Sequence, residues 1–424
     1  MKTGTGWSRR TRTKLDWTQV IMCLAPLLLQ VPRAEAQLTN YWRLHSFGRT
    51  NLVGENPEGT LIQDRNGFIY GVASRGGVTG GGTVFRVGPD GSEYTTLHQF
   101  DNSPGSSDGY LPAAGLLATS DRALYGTTFG NATIFKLNKD GTEYRTLHYF
   151  TADEGFGPPS ALVEGADGVL YGTTDHVVFK MDKDGSNFTL FFDSFVSTDP
   201  NAPYTLNGVI QASNGRLYGT SSFGGTNDLG TVFKLEKDGT AFSVLWRFTG
   251  TNGDGSAPMT GLVEAKDGVL FGTTHLGGTN HAGTIFRLNK DGSGHAVIHH
   301  FNPIFSDGYN PNVLRQGSDS MLYGSTQGGG AAGLGCVFRL NEDGTGYTVI
   351  KNLLSGPTDG SSPRAGLLEG ADGRLYCTAY SGGKYNLGTM FRLSKDGSGY
   401  STLRTFLFWP GDGTSPRTSA VGRQ

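Results

Sequence analysis

The chain has 424 residues with 35 Lys+Arg against 37 Asp+Glu, and this near-balance argues against a nucleic-acid-binding surface. With 36% hydrophobic residues, including 25 Phe and 17 Tyr, and only 17% charged ones, intrinsic disorder is excluded. Glycine supplies 67 residues, more than twice its usual share of about 7%, and the glycines recur at fixed offsets, which means turns.

The first 36 residues differ in character from the rest. Lys2, Arg9, Arg10, Arg12 and Lys14 precede the apolar run 20–31, and Ala34-Glu35-Ala36 follows it. That is the pattern of a signal peptide cleaved after Ala36, with an apolar run too short to cross a bilayer. No integral membrane segment is expected after cleavage, and the expected location is secreted, periplasmic or on the cell surface. Removing these residues takes away six basic and two acidic side chains and leaves a formal charge of −6.

Residues 37–424 repeat. A Leu-Tyr-Gly-like triplet places its aromatic at Tyr70, Tyr125, Tyr171, Tyr218, Phe271, Tyr323 and Tyr376, a period near 50. Each copy carries four apolar pieces, a to d. In the fifth they are Gly261-Leu-Val-Glu264, Val269-Leu-Phe-Gly-Thr-Thr274, Thr284-Ile-Phe-Arg-Leu288 and His295-Ala-Val-Ile-His-His-Phe301. They are rich in Val, Ile, Thr and Phe, and Asp-Gly turns separate a from b and c from d. Four short antiparallel strands per repeat describe a propeller blade, and large apolar groups on both sides of strands c and d suit a blade packed between two neighbours. The expected fold is all-β, a single β-propeller domain of seven four-stranded blades. The alternative is eight blades with one incomplete. An additional d-like segment, residues 41–47, precedes the first a, and its simplest use is to latch the ring by pairing with the last blade. Asp412-Gly-Thr-Ser-Pro416 begins a further copy.

Three features of the last copy, Glu369-Gly-Ala-Asp-Gly-Arg-Leu-Tyr376, Leu387-Gly-Thr-Met-Phe-Arg-Leu393 and Lys395-Asp-Gly-Ser-Gly-Tyr400, recur in order along the mature chain. This repeat resembles the GloVer-type tandem repeat of bacterial choice-of-anchor exported proteins. The resemblance implies export and a propeller-like repeat fold, and it brings no catalytic residues. Such proteins often end in an anchoring segment, whereas this sequence ends Ser419-Ala-Val-Gly-Arg-Gln424, which favours a released or periplasmic protein.

No constellation for chemistry stands out. His45, His98, His148 and His299 share one position of strand d, which other copies fill with Trp246, Lys351, Arg404 and, slightly offset, Asp193. Such a mixture suits a solvated outer-strand position better than a metal site, so no metal and no cofactor are expected. The basic residue of strand c, from Arg86 to Arg392, reads as a structural cation whose stem covers apolar neighbours and whose head pairs with turn carboxylates such as Asp167, Asp267 or Asp372. Glu164, Glu264 and Glu369 recur in strand a, which argues against a dedicated general acid among them. Cys336 and Cys377 read as two small buried thiols, with a bridge between repeats as the other possibility.

In a meander the d–a and b–c connections emerge on one face, and the a–b and c–d turns on the other. The former are long and varied, which is where binding usually resides. The d–a loops share Asp-Gly-x-x-Pro at Asp108, Asp254, Asp307, Asp359 and Asp412 and carry Tyr110, Phe156, Tyr204, Tyr309 and Trp409. Aromatics beside carboxylates suit sugar faces or a protein partner. The b–c loops of copies two and three are shortened, to Phe129-Gly-Asn-Ala132 and Asp175-His176, which opens a notch with Asp175 and His176 near its floor. The expected function is a monomeric binding module for glycan or protein. A cell-surface structural or assembly role and an extracytoplasmic polysaccharide hydrolase or lyase are the alternatives.

Overall fold

A computed structural model describes residues 51–155, 160–196, 199, 201–302, 304, 307–354 and 356–407, all within one compact unit. Apart from a one-turn 3-10 helix at Ala152–Glu154, its regular structure is antiparallel sheet. Strands a to d of blade 1 are Asn51–Gln63, Ile69–Gly77, Thr83–Val87 and Thr95–Gln99, hydrogen-bonded in that order. Blade 2 is Leu117–Ala118, Leu124–Thr128, Thr133–Leu137 and Arg145–Tyr149, and blade 3 is Val163–Glu164, Leu170–Thr173, Val177–Met181 and Thr189–Asp193. Blade 4 is Tyr204–Gln211, Leu217–Phe223, Thr231–Leu235 and Ser243–Arg247. In blades 5 to 7 strand a comes in two short pieces, both paired with strand b or its extension. Blade 5 is completed by Leu270–Thr274, Thr284–Leu288 and Ala296–His300, blade 6 by Leu322–Gly329, Cys336–Leu340 and Thr348–Asn352, and blade 7 by Leu375–Ala379, Thr389–Leu393 and Ser401–Thr405.

Strand c repeats one burial pattern because both faces of a blade are covered: its apolar residues are buried whichever way they point, and only the basic residue reaches partly into solvent. The core is accordingly seven interblade layers. In one of them Leu61, Ile69 and Phe85 of blade 1 pack on Leu368, Tyr376 and Met390 of blade 7. The same blades share hydrogen bonds, Asn56 N to Leu387 O at 2.8 Å and Ala371 N to Gln63 Oε1 at 2.7 Å. Seven complete blades thus close the ring, and blade 7 has its own strand d. The eight-bladed alternative is set aside. The signal peptide and the latch segment 41–47 lie outside the described residues. Strand a is innermost, since a Cβ on Gly366 in blade 7 would lie 3.3 Å from Thr60 Oγ1 in blade 1.

Cys336 and Cys377 are free and fully buried, and burial pushes each thiol up to about 12, leaving both protonated at neutral pH.

Two local features bring neighbouring blades together. In every blade one residue of strand d is skipped in the pairing with strand c, a β-bulge at Leu97, Leu147, Phe191, Leu245, Ile298, Ile350 and Leu403. A bulge re-aims the next side chain. The Asp-Gly glycine of each c–d turn has positive φ, and it also abuts the preceding blade's bulge. A Cβ on Gly292, at φ +90°, would sit 2.9 Å from Leu245 O. Gly215, at φ +85°, has nothing within 4 Å of such a Cβ. Both Gly→Ala changes meet the left-handed backbone penalty, of about 1 kcal/mol, but only Gly292→Ala also forces two blades apart. Its thermal midpoint should fall by at least twice the Gly215→Ala shift, and equal shifts in differential scanning fluorimetry would contradict the role assigned to this contact.

Candidate functional site

The face of a–b and c–d turns is held by charge. Glu164 accepts from Ser120 N at 2.9 Å and Ser120 Oγ at 2.6 Å across a blade junction and pairs with Lys183 of its own c–d turn. Glu264 with Ser213 and Lys290, and Glu369 with Ser318 and Lys395, repeat the arrangement two and four blades on. Where glutamine stands instead, Gln63, Gln211 and Gln316 accept one backbone N–H, from Ala371, Ala166 and Lys266. Burial alone raises the carboxyls of Glu164, Glu264 and Glu369, but hydrogen bonds from lysine and serine outweigh it and hold them below the ordinary range. They are structural acceptors, unsuited to donate a proton near neutrality.

The strand-c cations are structural as well, though not all of them meet a turn carboxylate. Lys136 reaches the turn carboxylate Asp121 at 2.8 Å, while Arg392 and Arg339 donate to Pro89 O at 2.8 Å and Lys395 O at 3.3 Å in the next turn. Asp167 takes Lys237, and Asp372 takes the Tyr376 hydroxyl. Concavities of about 290 Å³ beside Asp167 and Lys237 and about 250 Å³ beside Ser213 and Glu264 lie on this face, lined by the same groups.

On the opposite face the Asp-Gly-x-x-Pro carboxylates turn inward. Asp108 accepts from His98 Nε2 at 3.0 Å, from Asp101 N at 3.0 Å and from the Tyr144 hydroxyl. Asp307 does the same with His299, Asn302 N and Tyr347, and Asp359 with Lys351, Leu354 N and Tyr400. Each joins strand d of one blade to strand d of the next. The bulge makes this possible: His98 stacks on Tyr144 with centroids 3.5 Å apart, His148 on Phe188 at 3.6 Å, Trp246 on His295 at 3.6 Å and His299 on Tyr347 at 3.7 Å. The histidine position of strand d is therefore an interblade stack, and the expectation of a freely solvated one is corrected. Simple alternation does not survive a bulge. In copy three the equivalent residue is Phe192, stacked on Phe242 at 4.2 Å, and not Asp193. Among the described residues no group of three His, Cys, Asp or Glu is arranged to hold a metal ion.

With these carboxylates committed to scaffold, the aromatics remain. Phe156 and Trp409 lie outside the described residues. Tyr110 is half-buried with its ring against Gly130, Tyr309 lies over Gly328 and keeps one side exposed, and Tyr204 stacks on exposed Phe223 at 5.5 Å while its hydroxyl bonds Asp228 at 2.8 Å. Asp175 and His176 meet at 2.9 Å through the His176 Nδ1, and Leu206 N, two residues beyond Tyr204, donates to Asp175 O at 3.0 Å. His176 is 5% exposed because Phe195, itself 67% exposed, stacks over it at 4.1 Å.

Of the 14 large apolar side chains exposed among the described residues, Leu190 alone sits mid-strand, on outer strand d of blade 3. The other 13 lie on the face of d–a and b–c loops or at the strand ends beside it. Five aromatics among them, Phe129, Tyr149, Phe195, Tyr204 and Phe223, belong to blades 2 to 4, around the two shortened loops. Phe129, Tyr149, Phe195 and Phe223 were not singled out from sequence. The one available signal was Phe129 and Phe223 standing at the b–c loops.

The pattern of the Gloeobacter/Verrucomicrobia repeat matches residues 31–177, 175–311 and 265–424. No curated protein matches the sequence. Among solved structures, a streptogramin B lyase has a TM-score of 0.55 at 16% identity, over 81% of this chain and 95% of its own. A catalytically inactive virginiamycin B lyase from Staphylococcus aureus with quinupristin has 0.53 at 15%, over 77% and 92%. The extracellular domain of a protein described as a hybrid two-component system, from B. thetaiotaomicron, has 0.54 at 14%, over 78% and 39%. At these identities the likeness establishes a shared fold.

Burial raises the Asp108 and Asp307 carboxyls, but hydrogen bonds from histidine and tyrosine bring both below the usual value. A carboxyl depressed in the folded state stabilises above its unfolded value, near 4, and loses that contribution as pH falls through the folded one. Asp307→Asn should lower the thermal midpoint at pH 7, by the equivalent of about 1.5–3 kcal/mol. It should also flatten the decline between pH 5 and 3; a decline as steep as that of the parent protein would count against the clasp.

Proposed function

This chain belongs to the Gloeobacter/Verrucomicrobia repeat family, and on that premise we propose that it is an exported β-propeller binding module that takes glycan or protein on the face of d–a and b–c loops. The observation that carries this reading is the segregation of exposed apolar side chains: among the described residues 13 of 14 stand on or beside one face, while the other is occupied by ion pairs and hydrogen bonds. A soluble surface does not ordinarily gather its apolar groups in this way unless something covers them. Export is supported by the basic, apolar and Ala34-Glu35-Ala36 order of the first 36 residues.

Within that face, blades 2 to 4 supply the best candidate contacts. Tyr204 and Phe223 form an exposed stacked pair, Phe195 caps His176, and Asp228 and Asp175 place carboxylate oxygens beside them. Flat rings next to hydrogen-bond acceptors suit sugar faces and hydroxyl groups, or the aromatic anchors of a protein partner. Tyr110 and Tyr309 extend the same face at repeat-equivalent positions, each following an Asp-Gly pair.

The mature protein should be retained saturably on a glycan array or on immobilised cell-surface extract. Phe195→Ala with Phe223→Ala should weaken retention by about 10-fold or more, whereas Leu190→Ala on the outer strand should leave it unchanged. Equal retention by all three proteins would falsify the assignment of this face.

A further inference from the structure

Seven copies of one repeat let each position be compared within this chain, and two positions on the loop face break the pattern. Two places past the triplet aromatic, Thr or Ser stands in six of seven copies. Four places past it there are six residue types, among them Ser74, Phe129, His275, Gln327 and Tyr380. The residue after the proline that leads into strand a is as varied, with Ala113, Met259, Asn312 and Arg364, and Glu58 at the matching place in blade 1. Because strand a is innermost, these residues form a collar about the axis. A repeating scaffold has no structural reason to diversify at this level alone.

Within a blade the two positions touch. Gln327 Nε2 donates to Asn312 Oδ1 at 3.3 Å, and the Arg364 guanidinium lies over the Tyr380 ring with Cζ 3.8 Å from its centroid. The collar also ties each blade to the next. Asn312 Nδ2 donates to Pro363 O at 2.8 Å and Asn207 Nδ2 donates to Pro258 O, so an amide is enough for the scaffold. Between blades 7 and 1 an ion pair replaces it, Arg364 Nη1 to Glu58 Oε1 at 3.3 Å. The amide link is sealed, with Asn312 3% exposed, whereas the Arg364 side chain is 44% exposed against 16% for Glu58. One guanidinium nitrogen is thus anchored and the plane is set by a ring, while Nε and Nη2 have no partner among the described residues.

Resting on the reading of this face as a binding surface, we propose that Arg364 anchors a sugar-acid site, its Nε and Nη2 edge taking the carboxylate of a hexuronate, free or within an acidic polysaccharide. A guanidinium held in plane meets a carboxylate with two parallel hydrogen bonds. Gln327 Oε1, which accepts from nothing among the described residues, stands next along the collar and takes a ring hydroxyl. A ligand with a carboxylate and hydroxyls on one ring uses both groups, and an acidic protein side chain uses only the first.

The mature protein is titrated calorimetrically with polygalacturonate, with alginate, with each polymer after carboxyl reduction, and with galacturonate. A polyuronate should bind saturably, or the free acid alone if the site takes single sugars, and carboxyl reduction should weaken binding by about 10-fold or more. Arg364→Asn installs the residue that makes the link in blade 6, so the thermal midpoint should stay within about 2 °C of the parent value, while uronate affinity drops by about 10-fold or more. Arg364→Lys, charged but without the fork, should recover little of that loss. The reduced polymers decide the matter even if Arg364→Asn does not fold. Equal binding of native and reduced polymer, or unchanged uronate affinity in Arg364→Asn, overturns this site and leaves the binding face standing. Arg364-dependent retention of a protease-sensitive component of surface extract, without uronate binding, overturns it too, since the ligand is then an acidic protein. Absence of all uronate binding also overturns it, and retention on the glycan array and surface extract then tells whether the wider reading falls with it.

Discussion

Everything in this ring depends on a contact between outer strands. A propeller blade buries its faces only by leaning on its neighbours, and flat apolar sheets slide unless something sets their register. Here the bulge in strand d turns one side chain toward the next blade, where it stacks on the residue just before that blade's strand d, as His98 does on Tyr144 and Lys351 on Tyr400. The c–d turn glycine, with no Cβ, lets the backbones come close enough for the stack to form. At His98, His148, His299 and Lys351 a carboxylate from the d–a loop completes the stack, and where it is Phe192 on Phe242 the stack is purely apolar.

The opposite face solves the same problem with different chemistry. Glu164, Glu264 and Glu369 each meet a serine on the preceding a–b turn and a lysine on their own c–d turn, and Gln63, Gln211 and Gln316 meet a bare N–H. Charge appears only where there is a hydroxyl and an ammonium to use it. With acidic groups on both faces tied into junctions, the ring leaves its apolar loop residues as the surface available for recognition. That surface is densest where the b–c loops of copies two and three are short, so departure from the repeat and exposure coincide at Phe129, Asp175 and His176.

Much of the fold was legible because period, turn chemistry and strand length are local properties. Seven aromatic triplets near a 50-residue spacing identify seven blades, and the Asp-Gly turns mark their hairpins. The face bearing variable loops followed from chain reversal alone. The site was less legible. Asp108, Asp307 and Asp359 beside loop tyrosines read as ligand-facing, but their carboxylates are spent across a junction on residues 36 to 41 positions further along the chain. Phe195 carried no motif, and its exposure follows from the short loop beneath it.

The sequence by itself determined the repeat and the strand order within a blade, since both follow from patterns within about fifty residues; the count of seven blades over eight and the free state of Cys336 and Cys377 were decided by the structure. Only the tertiary structure decided which polar groups face each other. That choice rests on the strand-d bulge and on the approach of neighbouring blades, and neither the side a bulged residue takes nor the partner it meets one repeat away is encoded in alternation along a single strand.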